Sequence, residues 1–389
     1  MPPTPRSAIF YSTIRHWGWG APDYVWPEAA RQLRELGTEV LAVVRPQICS
    51  HPRIQALCEI GVRLLPQPPL VYRRGRISEI RSRLLALTSS GRELRRFFRS
   101  TVRPHVFVDQ SACFDFLDEG LLQELIRQSG ATYDLFCHSN HYEAPMNDER
   151  RHAAADFMAK ANRVLFNSSW IRRLAEVQLA RALPNAGYFD FNVRFPHEQP
   201  LPWPEGGPIR LASVSRIDCH HKGLDMLLLG LARLPSDLPD WSMEFYGNGP
   251  DTSYLQELSA SLGLTPRVHF FPAVTDVREI WRKAHMLVLV SRYEGLAVAM
   301  LEAMACGRPV LRTPYGGCLA WLVPDESGFI CPAPEPVLIA ETIERALRQH
   351  ARWPAMGQAA HAKILTSMNP HPELSYLSAF GLTAATAAA

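Results

Sequence analysis

The chain has 389 residues, of which 47% are hydrophobic and 20% are charged, and its formal net charge is +3. These values suit a globular protein of two ordinary domains and exclude a disordered chain. The small net charge gives no reason to expect nucleic acid as a partner. No apolar run approaches the roughly 18 residues that a membrane span needs.

The first half of the chain alternates short apolar runs with helical patterns, which favours a parallel sheet covered on both faces. The predicted strands are Ala8–Ser12, Glu39–Val44, Val106–Asp109, Tyr133–His138 and Arg163–Asn167. The predicted helices include Tyr24–Leu36, Ser78–Arg99, Leu121–Gln128, Arg151–Ala161 and Ser169–Ala182.

A stretch rich in proline and glycine at 196–208 interrupts this alternation and indicates a linker. A second alternating series follows it. Its predicted strands are Ile209–Val214, Ser242–Tyr246, Val268–Phe271, Met286–Val290, Pro309–Arg312 and Gly328–Cys331, with helices such as Leu224–Leu234 and Val337–Gln349 between them.

This pattern predicts an α/β fold of two doubly wound, Rossmann-like domains that face a central cleft. The expected layout is an N-terminal domain over 1–195, the linker at 196–208, a C-terminal domain over 209–368 and a tail at 369–389 that returns to the first domain. Ligands of such folds bind at the carboxyl ends of the strands.

The cysteines and the first residues of the chain favour a cytoplasmic protein. The eight cysteines lack the spacing of metal ligands, and several, such as Cys137 and Cys331, lie in apolar runs. We therefore expect reduced thiols in the core. The N-terminal residues MPPTPRSAIFYST lack the apolar stretch of a secretory signal.

Two cations mark the start of the second domain. Arg216 and Lys222 lie in the loop between a predicted strand and a predicted helix. An arginine fork, a lysine and a helix N-terminus together form a site for an anion, and a diphosphate is the natural ligand. Gly247 and Gly249, in the next turn, are expected to serve backbone geometry.

The segment 291–307, SRYEGLAVAMLEAMACG, is the most informative part of the chain. It carries Glu294 and Glu302 between an apolar strand and Gly307. A strand, a polar turn and a helix place a carboxylate and free backbone N–H groups at one edge of a sheet.

Several motifs in order resemble the nucleotide-sugar domain of the family-4 retaining glycosyltransferases, also called glycosyl transferases group 1, which have the GT-B fold. They are SVSR (213–216), KG (222–223), FYGNGP (245–250), RVHFFPAV (267–274), the stretch 291–313 and GG (316–317). The resemblance covers about residues 209–332.

The resemblance implies a role for each matching residue. Arg216 and Lys222 would hold the donor diphosphate, Glu294 would lie at the donor sugar, and Glu302 would bind the ribose hydroxyls. The backbone N–H groups of Gly295, Leu296, Ala297 and Val298 would assist Glu294. One departure is Ala320, which stands where the family often has an acidic residue, and we interpret it as a change in local packing.

The first domain resembles the family less closely. The glycine-rich turn of the family corresponds to Gly18 and Gly20, which would approach the donor phosphate and the acceptor. Here Trp17 and Trp19 flank Gly18. These two tryptophans suit an aromatic platform for a sugar or apolar acceptor as well as they suit the core.

A histidine follows the predicted strand at 133–138. The family carries a histidine at this place that faces the donor sugar and the reaction centre, and His138 is the preferred match, with His141 as its rival. A histidine at the carboxyl end of a strand suits a functional site, whereas a single loop histidine is more often structural.

The segment 73–103 is rich in arginine and carries an apolar stripe at helical spacing, which includes Ile77, Ile80, Leu84 and Leu87. A basic amphipathic helix of this kind can lie on an anionic membrane surface, which would suit an enzyme that acts on a lipid-linked acceptor. The same pattern also suits a helix that packs its stripe on the sheet.

The resemblance implies a retaining glycosyltransferase that moves a sugar from a nucleotide-diphosphate sugar, UDP- or GDP-linked, to an acceptor hydroxyl in glycolipid, polysaccharide or other glycoconjugate synthesis. The acceptor would be a carbohydrate, a lipid-linked or a small molecule. The sequence has no Asp-x-Asp motif and no His/Cys metal cluster, so we expect no cofactor and metal-independent catalysis, with the protein in the cytoplasm or peripheral on the membrane.

Two alternatives remain open from the sequence. One is a nucleotide-sugar 2-epimerase on the same scaffold, whose product forms without an acceptor. The other is a non-catalytic carbohydrate-binding or scaffold protein that keeps the fold. The presence of Arg216, Lys222, Glu294 and Glu302 argues against loss of catalysis but does not distinguish these activities.

Overall fold

A computed structural model describes residues 7–15, 19–68, 88–141, 146–193, 195 and 197–382. The chain forms two compact units. Unit 1 comprises Met1–Phe191 together with Asn369–Ala389, and unit 2 comprises Asn192–Met368. Both units are built on a parallel sheet, and the predicted α/β fold with two Rossmann-like domains is confirmed.

The sheet of unit 1 has seven parallel strands in the order β3-β2-β1-β4-β5-β6-β7. These are β1 Ser7–Ser12, β2 Glu39–Val44, β3 Arg63–Pro66, β4 His105–Ala112, β5 Thr132–Ser139, β6 Arg163–Phe166 and β7 Ala186–Tyr188. Among its described residues, the α-helices of the unit are Trp26–Glu35, Pro52–Glu59, Ser89–Ser100, Gly120–Ser129, Asp148–Lys160, Ser169–Leu179 and Leu374–Leu377.

The sheet of unit 2 has six parallel strands in the order β10-β9-β8-β11-β12-β13. They are β8 Ile209–Val214, β9 Trp241–Tyr246, β10 Val268–Phe271, β11 Met286–Leu289, β12 Val310–Arg312 and β13 Gly328–Ile330. The α-helices are Cys219–Lys222, Leu224–Leu231, Thr252–Ser261, Arg278–Trp281, Val298–Ala305, Pro336–Arg348 and Trp353–Ser367. In the described part of the chain, no helix has the length and apolar character to cross a membrane.

Each sheet reverses its direction of winding at one point. In unit 1 the chain moves outward from β1 to β3 and then returns to the other side of β1 with β4. Unit 2 repeats this order around β8, with β11 on its other side. The crevice at such a switch point is the usual ligand site of an open α/β sheet. The loops after β8 and β11 therefore define the expected site of unit 2.

The described part of the basic segment packs against unit 1. The helix Ser89–Ser100 buries Leu94, Phe97 and Phe98 in the hydrophobic core, and Arg96 and other arginines on its opposite side face solvent. Residues 69–87, with the first half of the predicted membrane-binding stripe, lie outside the described residues. For Leu94, Phe97 and Phe98 the structure favours the packing interpretation of the apolar stripe.

The predicted linker packs against unit 2. The Arg308 guanidinium, which is 1% exposed, donates hydrogen bonds to the carbonyl oxygens of Pro202 (2.6 Å), Leu201 (3.3 Å) and Trp281 (2.7 Å). The Leu201 N–H also donates to the Cys306 carbonyl at 3.2 Å. The two units divide before this stretch, between Phe191 and Asn192.

Candidate active site

The loop after β8 carries the two predicted cations. Arg216 pairs with Asp218, with 2.5 Å between Nη2 and Oδ2. The Asp218 carboxylate also accepts a hydrogen bond from the His221 N–H at 3.0 Å and so caps the short helix Cys219–Lys222. This cap fixes the helix directly after the strand, and Lys222, its last residue, stands at the carboxyl edge of the sheet.

Glu294 lies in the neighbouring loop, after β11, and is 5% exposed. Its Oε1 accepts hydrogen bonds from Lys222 Nζ at 2.5 Å and from Ser291 Oγ at 2.8 Å. Burial, the largest single effect, would raise the pKa of this carboxyl, but the charges of Lys222, His221 and Arg312 and the hydrogen bond from Lys222 together outweigh it, so that the pKa falls to about 2. Glu294 is therefore ionised at neutral pH and able to accept hydrogen bonds only.

Backbone N–H groups follow Glu294 in the chain. The structure records no acceptor among the described residues for the N–H groups of Gly295–Ala297. The helix Val298–Ala305 begins there, and the first N–H groups of a helix lack intrahelical partners. On this helix, burial raises the pKa of Glu302 to about 7. The amides and the lysine together provide positive potential for an anion.

Two glycines let the surrounding turns approach the site. Gly316 has φ +72°, and a Cβ there would lie 2.0 Å from the carbonyl oxygen of Gly295 and 2.6 Å from that of Glu294. Gly247 has φ +153°, and its Cβ would lie 1.9 Å from the Ser215 carbonyl oxygen. No other residue fits at these two contacts, so both glycines serve backbone geometry, as the sequence predicts for Gly247.

Arg312 supports the loop that contains Gly316. Its fully buried guanidinium donates to the carbonyl oxygens of Thr313 at 3.1 Å and Tyr315 at 2.7 Å. The Thr313 hydroxyl in turn donates to the Ser291 carbonyl at 2.7 Å and ties this loop to the one that holds Glu294. Ala320, by contrast, is exposed in a short 3₁₀ turn.

In unit 1, His138 lies near the end of β5 and is 6% exposed. Its Nε2 lies 2.6 Å from Oδ1 of Asp109 on β4, and the rings of Phe189 and Phe191 flank it at centroid distances of 4.9 and 5.5 Å. Among the described residues, Nδ1 of His138 has no hydrogen-bond partner. The rival His141 lies past the end of the strand and is less buried.

The turn after β1 is held by a buried ion pair. Gly20 N–H donates to Asp23 Oδ2 at 2.9 Å, and Asp23 pairs at 2.5 Å with Arg45; Asp23 and Arg45 are each 1% exposed. Trp19 stacks on the His51 ring, with 3.8 Å between centroids and 7° between planes. One face of Trp19 is therefore covered, and the other two predicted residues of the turn, Trp17 and Gly18, lie outside the described residues.

Sequence reasoning missed several residues of these sites. In unit 2 they are Ser291, His221 and Arg312, which all act on Glu294. In unit 1 they are Asp109, which contacts His138, and Tyr376, whose hydroxyl donates to Asp109 at 3.0 Å. The sequence did offer a signal for His221, which precedes the predicted Lys222, and for Asp109, a carboxylate at the end of an apolar strand. It offered none for Tyr376, which is distant in the chain.

The arrangement in unit 2 suits a phosphorylated ligand. A lysine, an arginine and free backbone N–H groups meet at the switch point between β8 and β11, beside an ionised carboxylate that can bind hydroxyls. Among the described residues no cluster of three or more His, Cys, Asp or Glu side chains is placed to hold a metal ion.

Two Rossmann-like units with a cationic site at the switch point define a protein of the GT-B class. Residues 197–363 match the family described as glycosyl transferases group 1. This match confirms, for residues 197–363, the resemblance that the sequence motifs predict.

A solved structure shares the fold of this chain, and curated relatives are similar to part of its sequence. The structure of Anabaena HepE in complex with UDP has a TM-score of 0.72 at 13% identity, and the match covers 96% of this chain and 99% of that one. The D-inositol 3-phosphate glycosyltransferase of Salinispora arenicola is 31% identical over 195 residues, or 47% of this chain. The lipopolysaccharide glucosyltransferase WaaG of Escherichia coli is 29% identical over 133 residues, or 34% of this chain. The chain spans 43% and 36% of the length of these two curated relatives.

Proposed function

We propose that this protein transfers a sugar from a UDP-sugar to an acceptor hydroxyl, with retention of the anomeric configuration and without a metal ion. The observation that carries this proposal is the contact between Lys222 and Glu294 at the switch point of unit 2, beside the free N–H groups of Gly295–Ala297. The UDP complex of HepE supports uracil as the base of the donor, and a GDP-sugar is the next candidate.

The cations of unit 2 act on the leaving group. Arg216 and Lys222, with the N–H groups that follow Glu294, bind the donor diphosphate and stabilise the negative charge that develops as the bond from the sugar C1 to the β-phosphate oxygen breaks. Placing fixed positive charge here removes the need for a divalent ion in this role. The transition state has oxocarbenium character, as in other glycosyl transfers.

Transfer occurs on the face of the sugar that the diphosphate leaves. The acceptor oxygen forms its bond to C1 as the C1–phosphate bond breaks, and the acceptor proton passes to an oxygen of the departing phosphate. This balance requires no protein nucleophile, and Glu294, ionised and bound to Lys222, hydrogen-bonds the sugar hydroxyls instead.

Glu302 orients another part of the donor. It accepts hydrogen bonds from the ribose hydroxyls, and a carboxyl with a pKa of about 7 is partly ionised for this task at neutral pH. In unit 1, His138 is the residue for which we propose a hydrogen bond with a sugar hydroxyl. The acceptor is a carbohydrate, a lipid-linked or a small molecule, and the product is a glycoconjugate.

The test is to measure turnover and binding across a panel of UDP-, GDP- and ADP-sugars without acceptor. We expect slow release of UDP from one UDP-sugar, and its loss in Lys222→Ala. The matched control is Lys283→Ala, since Lys283 is an exposed lysine of the same unit. EDTA should leave the rate unchanged, and a strict metal requirement would contradict the metal-independent mechanism.

The same panel separates the alternatives. Conversion of a donor into another nucleotide sugar would identify a 2-epimerase. Binding without chemistry, even with a panel of acceptors, would identify a non-catalytic protein. Failure to bind any of these nucleotides would refute the assignment of the site itself.

A further inference from the structure

A chain of three buried side chains in unit 1 links the C-terminal segment to His138. The Tyr376 hydroxyl lies 3.0 and 3.1 Å from the two carboxylate oxygens of Asp109, and Oδ1 of Asp109 lies 2.6 Å from Nε2 of His138. The three side chains are 0%, 4% and 6% exposed. Polar groups buried to this extent ordinarily have hydrogen-bond partners. In these three side chains, every polar atom but one has such a partner.

The sheet places these groups together. Phe136 and His138 are two residues apart on β5 and so share one face of the sheet, and Asp109 of β4 is in register with Phe136. The Tyr376 ring stacks on Phe136, with 3.9 Å between centroids and 4° between planes. This stacking fixes the Tyr376 ring in the position from which its hydroxyl donates to Asp109.

The direction of each hydrogen bond follows from the chemistry. Burial, and then the charge of Asp109, raise the pKa of Tyr376 well above its usual value, so its hydroxyl keeps its proton and donates. An ionised carboxylate only accepts, and therefore Nε2 of His138 must carry the hydrogen that points to Asp109. In a neutral imidazole the other nitrogen, Nδ1, is then a bare acceptor.

Nδ1 of His138 is the position left unpaired. It is buried and has no partner among the described residues. A buried acceptor without a partner is costly, and such atoms in native proteins call for an explanation. A ligand hydroxyl that donates a hydrogen bond to Nδ1 would explain why this atom has no partner in the protein.

The geometry points to Asp109 and Tyr376 as positioning residues that hold His138 in the Nε2–H tautomer, with Nδ1 ready to accept a hydrogen bond from a ligand hydroxyl. The C-terminal segment thereby takes part in the site through Tyr376. This inference rests on the proposed function for the identity of the ligand, a sugar, but the tautomer of His138 is measurable without it.

The tautomer is tested by ¹⁵N NMR of the full-length protein labelled at histidine, with His138→Gln to assign the signals. We expect the wild-type ring to carry its proton on Nε2. In Asp109→Asn the amide can donate to Nε2, which moves the proton to Nδ1, in the way that a wrong tautomer arises in catalytic His–Asp pairs. A wild-type ring protonated on Nδ1, or a tautomer that Asp109→Asn leaves unchanged, would overturn the inference.

The role of Tyr376 is tested with a matched control. Tyr376→Phe removes the hydroxyl that donates to Asp109, whereas Tyr133→Phe removes another largely buried hydroxyl, which donates to the Phe157 carbonyl at 2.6 Å from the far end of β5. We expect Tyr376→Phe to keep the Nε2–H tautomer, which the Asp109 carboxylate dictates, but to shift the ¹⁵N signal of Nε2, because the carboxylate loses the hydroxyl that fixes its orientation. Tyr133→Phe should leave the wild-type spectrum. Identical spectra for the two variants would remove Tyr376 from the inference.

Kinetics give a second, separate measurement. Once a donor is known, Asp109→Asn should lower kcat/KM by about tenfold or more, as expected for loss of one hydrogen bond to the reacting ligand, with the melting temperature close to that of wild type. If no donor is found, the proposed function fails, while the NMR result still decides the tautomer.

Discussion

Lys222 Nζ lies 2.5 Å from Oε1 of Glu294, so that in the ligand-free protein the cation proposed to bind the donor diphosphate is already bound to a carboxylate. The pair is largely buried, with side-chain exposures of 14% and 7%. A charge in such surroundings is costly unless it is paired. Under the proposed function, the diphosphate therefore competes with Glu294 for the same ammonium group when the donor binds.

This competition predicts opposite effects of Glu294→Gln on binding and on turnover. The neutral amide releases the Lys222 charge to the diphosphate, so the affinity for UDP should be equal to or higher than that of wild type by calorimetry. Turnover of the donor should fall by about 100-fold, because the contact to the sugar is lost.

Glu257→Gln is the control for this measurement, since Glu257 is exposed on the helix Thr252–Ser261 of the same unit. Weaker binding of UDP to Glu294→Gln than to this control would contradict the competition between the carboxylate and the diphosphate.

A second prediction concerns Glu302, whose carboxyl has a pKa of about 7 in the folded protein against 4.5 as its ordinary value. Because the unfolded chain loses this proton first, the native state loses stability as the pH rises from about 4.5 to about 7. Glu302→Gln should therefore stabilise the protein by about 2 kcal/mol at pH 8, after allowing for partial exposure, and by close to nothing below pH 4.5. Urea unfolding at the two pH values measures the difference, and a gain of equal size at both would show that the charge is not its cause.

Gly316 gives a third prediction, with Gly263 as its match. The two glycines have φ of +72° and +71°, but only at Gly316 would a Cβ meet other atoms, the nearest at 2.0 Å. Gly263→Ala should lower the free energy of unfolding only by the backbone strain, about 1 kcal/mol. Gly316→Ala should cost about 3 kcal/mol or more and weaken the binding of UDP, because the loop at Glu294 must move. Equal losses in urea unfolding would show that the close approach does not matter.

Arg308 gives a fourth prediction. Replacing this buried guanidinium by methionine leaves the carbonyl oxygens of Pro202 and Trp281 without their donor. We expect Arg308→Met to destabilise unit 2 by about 3 kcal/mol. Arg282→Met, at an exposed position nearby, should change the free energy of unfolding by less than about 0.5 kcal/mol. A loss below about 1 kcal/mol for Arg308→Met would mean that water replaces the guanidinium.

Much of the fold could be predicted because strands in parallel sheets are continuous apolar runs. The strands Glu39–Val44, Ile209–Val214 and Val268–Phe271 have the bounds that the sequence predicts. Two edge strands escaped prediction. Arg63–Pro66 has two apolar residues before a proline, and Ala186–Tyr188 has a glycine at its centre. Neither sequence can therefore be distinguished from that of a loop.

The site in unit 2 could be predicted in part because its residues lie in two short segments. The contact between Lys222 and Glu294 joins residues that the motifs single out, whereas the pKa of about 2 for Glu294 also depends on the charges of His221 and Arg312, whose proximity no local pattern encodes. The link from Tyr376 to Asp109 crosses 267 positions of the chain. Local periodicity contains no information about such a pair.

Unit 1 is discontinuous, and this affects the order in which the protein can fold during its synthesis. Arg163 donates to the Ser375 carbonyl at 2.9 Å and to the Ser378 hydroxyl at 2.7 Å, next to Tyr376. The ribosome must therefore translate all of unit 2 before unit 1 receives its last helix. Unit 2 can complete its own core first. During that time Arg163 and Asp109 are already part of the nascent chain, but the C-terminal residues that they contact have not yet been synthesised.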